Sequence, residues 1–282
     1  MKQFFKSKEI FPGVYGITSE AVAKFLIVGE HHALLFDTGY GFGNLAEYVR
    51  TITDLPLYVV NSHGHIDHAG GNTKFDAPCY MHKSDLEVYK YHQSEDFRKI
   101  GWGMLYSVQR IPFFYRFIIP KGYEMSDYLA NPVSENFITI NEGQEFDLGG
   151  ITLRVVEIPG HTAGSIGLYC PEKKLFFASD GICGGTWLFL PESTKLSVYL
   201  NSLKKVETLD FDYLITGHSI KPEPKSAIYD YIDVAENLDF EGGIIQKENA
   251  FTPGVVYKQC FSKTKPKGKK SAFVMISEDK IF

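Results

Sequence analysis

Asn61-Ser62-His63-Gly64-His65-Ile66-Asp67-His68-Ala69-Gly70-Gly71-Asn72 gathers three of the chain's nine histidines and one aspartate between positions 63 and 68. Imidazole and carboxylate suit zinc and similar divalent ions. Extended backbone repeats its direction every two residues, so His63, His65 and Asp67 are expected to aim at one region. His68 then points elsewhere, which suits ligands divided between two neighbouring ions better than four on one ion. Upstream, Leu57-Tyr58-Val59-Val60 is an apolar, β-branched run of the kind found in buried strands. Downstream, Ala69-Gly70-Gly71-Asn72 suits a tight loop or a helix start. The cluster is therefore expected where a strand ends and a helix begins, the place where open α/β sheets form their sites. A chance run of surface histidines is the competing reading, and the rarity of the pattern weighs against it.

The same delivery recurs further along. Residues 151–158 read as a strand that ends in Pro159-Gly160-His161-Thr162-Ala163-Gly164-Ser165. Residues 174–178 read as another, ending in Ser179-Asp180-Gly181. Tyr213-Leu214-Ile215-Thr216 is a buried-strand run closed by Gly217-His218-Ser219. A weak internal repeat joins the halves: Leu34-Leu35-Phe36-Asp37-Thr38-Gly39 echoes Leu175-Phe176-Phe177-Ala178-Ser179-Asp180-Gly181.

The stretch at 61–72 resembles the H-x-H-x-D-H signature of the metallo-β-lactamase superfamily, and the resemblance extends along most of the chain. It implies an α/β fold, a four-layer αββα sandwich with the site along one edge. It also implies a binuclear centre of two divalent ions, zinc foremost, with iron or manganese as alternatives. His63, His65 and His161 would hold one ion, Asp67, His68 and His218 the other, and Asp180 would bridge them. Two such ions share a hydroxide, lower the pKa of its parent water and polarise a substrate oxygen. Asp67 could also orient that nucleophile, so no serine or cysteine is needed. Asp37 is suggested as an outer group bonded to the 63–68 loop, against the plainer reading of a turn aspartate that caps a helix.

Family members differ at informative positions. Zinc β-lactamases tend to have cysteine or serine where Asp180 stands, whereas thioesterase-like, lactonase-like and phosphodiesterase-like members have aspartate. Cys183 stands where N-acyl homoserine lactonases carry tyrosine, which weakens the lactonase reading; a buried structural thiol is the first expectation for it, a residue lining the pocket the second. The metal pattern resembles glyoxalase II-like enzymes closely, without their C-terminal helical domain. His65 argues against the flavodiiron class, which has glutamate there. The expected function is thus hydrolysis of an ester, thioester or lactone. The alternatives are phosphodiester or phosphonate hydrolysis, and a non-hydrolytic di-iron redox or metal-binding protein.

A formal net charge of −5 over 282 residues gives no electrostatic footprint for nucleic acid, so a small-molecule substrate is expected. The four cysteines are far apart and form no CxxC, which suits a reducing cytoplasm. The first residues lack the apolar stretch of a signal peptide, and no run approaches a membrane span.

The strand–helix rhythm predicts one domain over residues 1–282. Strands are expected at 13–18, 21–28 and 33–37, and helices at 43–54, 83–91, 193–209 and 225–240. Hairpins are expected from 137–140 with 144–147, from 166–170 with 174–178, and from 254–260 with 271–276. Residues 95–132 depart from the rhythm with interleaved aromatic and basic side chains. A lid over the site is the first reading of this insert; a homodimer contact, plain packing and a membrane-surface element compete. The basic run at 263–270 reads as a solvated turn. His31, His32, His82 and His92 lack ligand spacing and read as ordinary surface or loop histidines.

Overall fold

The computed structural model describes residues 4–19, 22–109, 119–246, 249–264 and 272–282. Seven strands lie side by side in chain order: Lys6–Phe11, Val14–Ser19, Val22–Val28, Ala33–Phe36, Leu57–Val60, Cys79–His82 and Phe137–Ile140. The first four pair antiparallel and the last three join in parallel. Parallel neighbours need a crossover, and the helix Leu45–Arg50 lies in the first of them, capped where Asn44 accepts from the Glu47 N–H at 3.1 Å.

A second sheet orders six strands as Glu223–Pro224, Tyr213–Thr216, Leu175–Ser179, Ile166–Cys170, Thr152–Glu157 and Glu145–Asp147. Side-chain alternation explains the layering. Leu34 and Phe36 share a core with Leu175 and Phe177, so the two sheets meet face to face. Ala33 and Leu35 point the other way, onto Leu45 and Val49 of the first helix. Val156, Phe176 and Leu214 likewise turn outward onto the helices Leu196–Glu207 and Ala227–Glu236. The order helix, sheet, sheet, helix is the expected four-layer sandwich. Among the described residues, no helix is long and apolar enough to cross a membrane.

A third sheet of four short strands, Thr186–Leu188, Val274–Ser277, Tyr257–Cys260 and Ile244–Ile245, includes the expected terminal hairpin. The basic run falls largely on residues 265–270, outside the described residues. The hairpin expected at 137–147 does not form. Phe137–Ile140 pairs in parallel with Cys79–His82 in the first sheet, and Glu145–Asp147 pairs with Thr152–Glu157 in the second. The chain crosses between sheets at the turn: Gly143 donates to the Val155 carbonyl and Val155 to that of Gln144, at 2.9 and 2.8 Å. Alternation predicts a strand but leaves its partner open.

The insert is helical over Glu95–Gln109 and Met125–Leu129. Phe97, Leu105 and Tyr128 are buried against Tyr40 and Phe42, so part of its aromatic content is core packing. Arg98 is buried and donates to the backbone carbonyls of Tyr128, Leu129 and Asn131. Arg110, Pro112, Phe113, Phe114, Tyr115, Arg116 and Phe117 lie outside the described residues.

Candidate active site

Strand ends of both sheets converge on one edge. The sheets are stitched there by Ala23 N–H to the Gly217 carbonyl and Ile166 N–H to the Ser62 carbonyl, at 2.8 and 2.9 Å. The helix Ile66–Ala69 starts earlier than the pattern suggests, with His65 as its N-cap. Asp67 and His68 therefore sit on a helical turn, not on extended backbone, and the expected alternation ends at His65.

Four of the buried histidines, His63, His65, His68 and His161, are oriented by what binds their outer nitrogens. Ser62 Oγ lies 2.8 Å from His63 Nδ1, and Asp37 Oδ2 lies 2.8 Å from His68 Nδ1. The Trp187 carbonyl lies 3.0 Å from His161 Nδ1, and Glu192 Oε1 lies 2.7 Å from His65 Nε2. A carbonyl or carboxylate oxygen only accepts, so those ring nitrogens carry the hydrogen. Ser62 spends its own hydrogen on Asp37 Oδ2 at 2.9 Å, which leaves its oxygen to accept from His63. Each ring thereby turns its inner nitrogen toward one centre.

The inner atoms form overlapping groups. His63, His65 and His161 bring three ligand-type atoms within 4.8 Å of one another; so do Asp67, His68 and His218. Asp180 joins His63 and His68 in a third such group. Its Oδ2 is 3.0 Å from His218 Nε2, 3.5 Å from His68 Nε2 and 4.0 Å from His161 Nε2. Three buried atoms in this knot, His63 Nε2, His68 Nε2 and Asp180 Oδ1, have no hydrogen-bond partner. Orphaned buried polar atoms are costly, and ligand-type atoms facing a common centre fit a bound cation. A side chain at residue 217 would fill this space: a Cβ there would meet Asp180 Oδ1 at 2.2 Å.

Electrostatics divide the rings. Burial lowers His68, but the charges of Asp67, Asp180 and Asp37 outweigh it and hold that ring well above its usual range, so a cation bound there would displace its proton. Burial, reinforced by the neighbouring histidines, holds His63 well below its usual range, and burial lowers His161 to about 4, so both rings are neutral at physiological pH. The charge of Asp180 outweighs burial and raises His218 to about 9. Burial raises the Asp67 carboxyl, but His68 and His218 outweigh it and hold Asp67 well below the usual carboxylate range.

Two carboxylates brace the knot. Asp37 takes a left-handed backbone conformation, φ 70°, and accepts from Ser62 N–H, Ser62 Oγ, His68 Nδ1 and Ser179 Oγ. Ser179 is also left-handed, φ 48°, so the two strand ends that echo each other in sequence break in the same way. Asp85 is fully buried and ties two loops together. It accepts from Gly64 N–H at 2.7 Å and from Gly164 N–H and Thr162 Oγ1 at 2.8 Å.

Asp85, Glu192 and His92 carry no motif and escape sequence reading. His92 is not a surface residue: it is 6% exposed, with its ring stacked 4.4 Å from that of His65. His82 is also buried, with Nε2 3.3 Å from Glu157 Oε1. Both reverse the surface reading, because strand and helix ends near a site are covered by elements distant in sequence.

A cavity of about 350 Å³ opens over the knot. Asp67, Asp180 and His218 reach it, while Tyr91, Phe97, Met104, Trp187, Leu190 and Phe251 give it apolar walls. Phe97 and Met104 come from the insert. Cys183 lines the cavity too, and burial pushes its thiol up to about 12.

The chain belongs to the metallo-beta-lactamase superfamily, whose family model matches residues 21–218. It is a metal-dependent hydrolase of that superfamily. It is similar to human acyl-coenzyme A thioesterase MBLAC2, 27% identical over 210 residues, covering 68% of this chain and 71% of the relative. Hydroxyacylglutathione hydrolase of Brucella ovis is 35% identical over 85 residues, covering 28% of this chain and 31% of that protein. The structure of a metallo-beta-lactamase from Pontibacter korlensis shares the fold: TM-score 0.59 at 15% identity, over 83% of this chain and 99% of that one.

Proposed function

We propose that this protein hydrolyses thioesters with an apolar acyl group, using two divalent ions, zinc foremost. His63, His65 and His161 would hold one ion and Asp67, His68 and His218 the other, with Asp180 between them. The carrying observation is the set of inward-facing buried atoms of His63, His68 and Asp180 that lack a hydrogen-bond partner. The thioester class draws support from the relatives named acyl-coenzyme A thioesterase and hydroxyacylglutathione hydrolase. The apolar acyl group draws support from the aromatic and aliphatic cavity walls.

Bound there, the ions would lower the pKa of water and polarise the acyl carbonyl. The chain's own residues do the rest. Asp67, ionised and lining the cavity, would accept the hydrogen bond that orients the attacking water and pass the water's proton to the thiolate that leaves as the C–S bond breaks. His218, whose side chain is 46% exposed, borders the route by which substrate reaches this site. The walls exclude bulk water and seat the acyl chain. Cys183 stays a protonated thiol and takes no nucleophilic part. We read residues 1–282 as one domain, with 95–132 as the lid-side wall of the cavity.

A thioester panel of increasing acyl length, assayed by thiol release with metal-loaded protein, tests the reading. Activity that rises with chain length is expected and is lost on chelation. Cleavage of lactones or phosphodiesters without any thioester cleavage would overturn it.

A further inference from the structure

Besides the groups around Asp180, one more set of ligand-type side chains is gathered among the described residues: His65, His92 and Glu192. It differs from the inner knot in one respect. Its atoms are hydrogen-bonded, and none is among the buried orphans.

The bonds run in one direction. The Ile66 backbone N–H donates to His92 Nδ1 at 3.4 Å, so the hydrogen of a neutral His92 is on Nε2. His92 Nε2 lies 3.3 Å from Glu192 Oε1, and His65 Nε2 lies 2.7 Å from the same oxygen. One carboxylate oxygen thus accepts from two imidazoles. The His65 hydrogen is drawn to Nε2, and Nδ1 is left to face His161 Nε2 at 3.0 Å. The His92 ring is clamped between His65, at 4.4 Å and 14°, and Phe97, at 3.9 Å. The loop is closed, since Ile66 opens the helix that His65 caps.

We propose that Glu192 and His92 are positioning residues. They select the His65 tautomer and hold its Nδ1 toward the first ion, as Ser62, Asp37 and the Trp187 carbonyl do for the other three rings. A third ion at this set is the rival use, and it would have to break hydrogen bonds already made. The proposal rests on the ligand reading of His65. Outer carboxylates on metal-bound histidines fix ring orientation and raise ligand basicity.

The test uses the full chain loaded with zinc, titrated with a competing chelator and followed by elemental analysis, with Co(II)-substituted protein for its absorption spectrum. Glu192→Leu is expected to weaken one of the two bound equivalents by about 10–100-fold, leave the other within about 3-fold and shift the Co(II) bands. Glu192→Gln keeps an acceptor and is expected to recover most of that loss. His92→Phe keeps the ring stack but loses the second donor, and is expected to weaken the same equivalent by a smaller factor. Wild-type affinity and spectrum in both Glu192→Leu and His92→Phe would overturn the proposal. Equal weakening of both equivalents in Glu192→Leu, with no recovery in Glu192→Gln, would overturn it too. A third equivalent in the wild type that Glu192→Leu removes favours the rival ion. Wild-type protein that retains no zinc would instead overturn the ligand reading beneath it.

Discussion

The first half of the molecule presents four ligand-type side chains on one short turn, residues 63–68, and buries three of them. The second half sends His161, Asp180 and His218 from three separate strand ends, and leaves His218 46% exposed at the side chain. The first arrangement depends on outer braces, Asp37 and Asp85, because one turn cannot orient four side chains alone. The second depends on register: Leu175–Ser179 and Tyr213–Thr216 pair in parallel and bring Asp180 and His218 to the same level. Support is therefore shared on one side and individual on the other.

Asp180→Ala removes the carboxylate that lies between ligand-type groups of both halves. It should cut thioester hydrolysis by at least about 100-fold, the upper end of what losing an outer carboxylate costs, and lower bound zinc below two equivalents by elemental analysis. Retention of both metal and rate would break the comparison. Asp85→Ala removes the brace that spans both halves and strands three donors, at about 1–3 kcal/mol for each buried orphan. A total near 3 kcal/mol corresponds to a Tm drop of about 5–10 °C in a scan of the metal-free protein. An unchanged Tm would mean the two loops hold themselves.

Asp37→Asn keeps the shape but loses the charge shared by Ser62, His68 and Ser179. A loss of about 10–100-fold in zinc affinity is expected by chelator competition, falling on the ion assigned to His68. If the other ion weakens instead, the division of ligands is wrong. The smallest effect belongs to the apolar wall. Met104→Ala should raise KM for an octanoyl thioester by about 5-fold, as about 1 kcal/mol of apolar burial is lost. An acetyl thioester should be unaffected, and an equal change for both would sink the acyl-chain role of the insert.

Much of this was legible in residues close together in the chain. His63, His65, Asp67 and His68 form one local pattern, and a glycine–histidine pair after an apolar run marks His161 and His218. Asp180 stands at the end of a further apolar run, in Ser179-Asp180-Gly181, and its place among the ligands is what the family resemblance implies. The partner of Phe137–Ile140 was not legible, since strand alternation carries no information about which edge a strand joins. Nor was the helical turn at Ile66–Ala69, where the packed knot overrides a short apolar–polar alternation.

By itself, the sequence determined that ligand-type side chains stand at the ends of several strands, because short apolar runs and the period of the backbone mark those ends. Only the tertiary structure decided which nitrogen of each ring faces inward, what closes the cavity and which carboxylates brace it. Those depend on groups far apart in the chain, as with His65 and Glu192, separated by 127 positions and joined by one 2.7 Å bond.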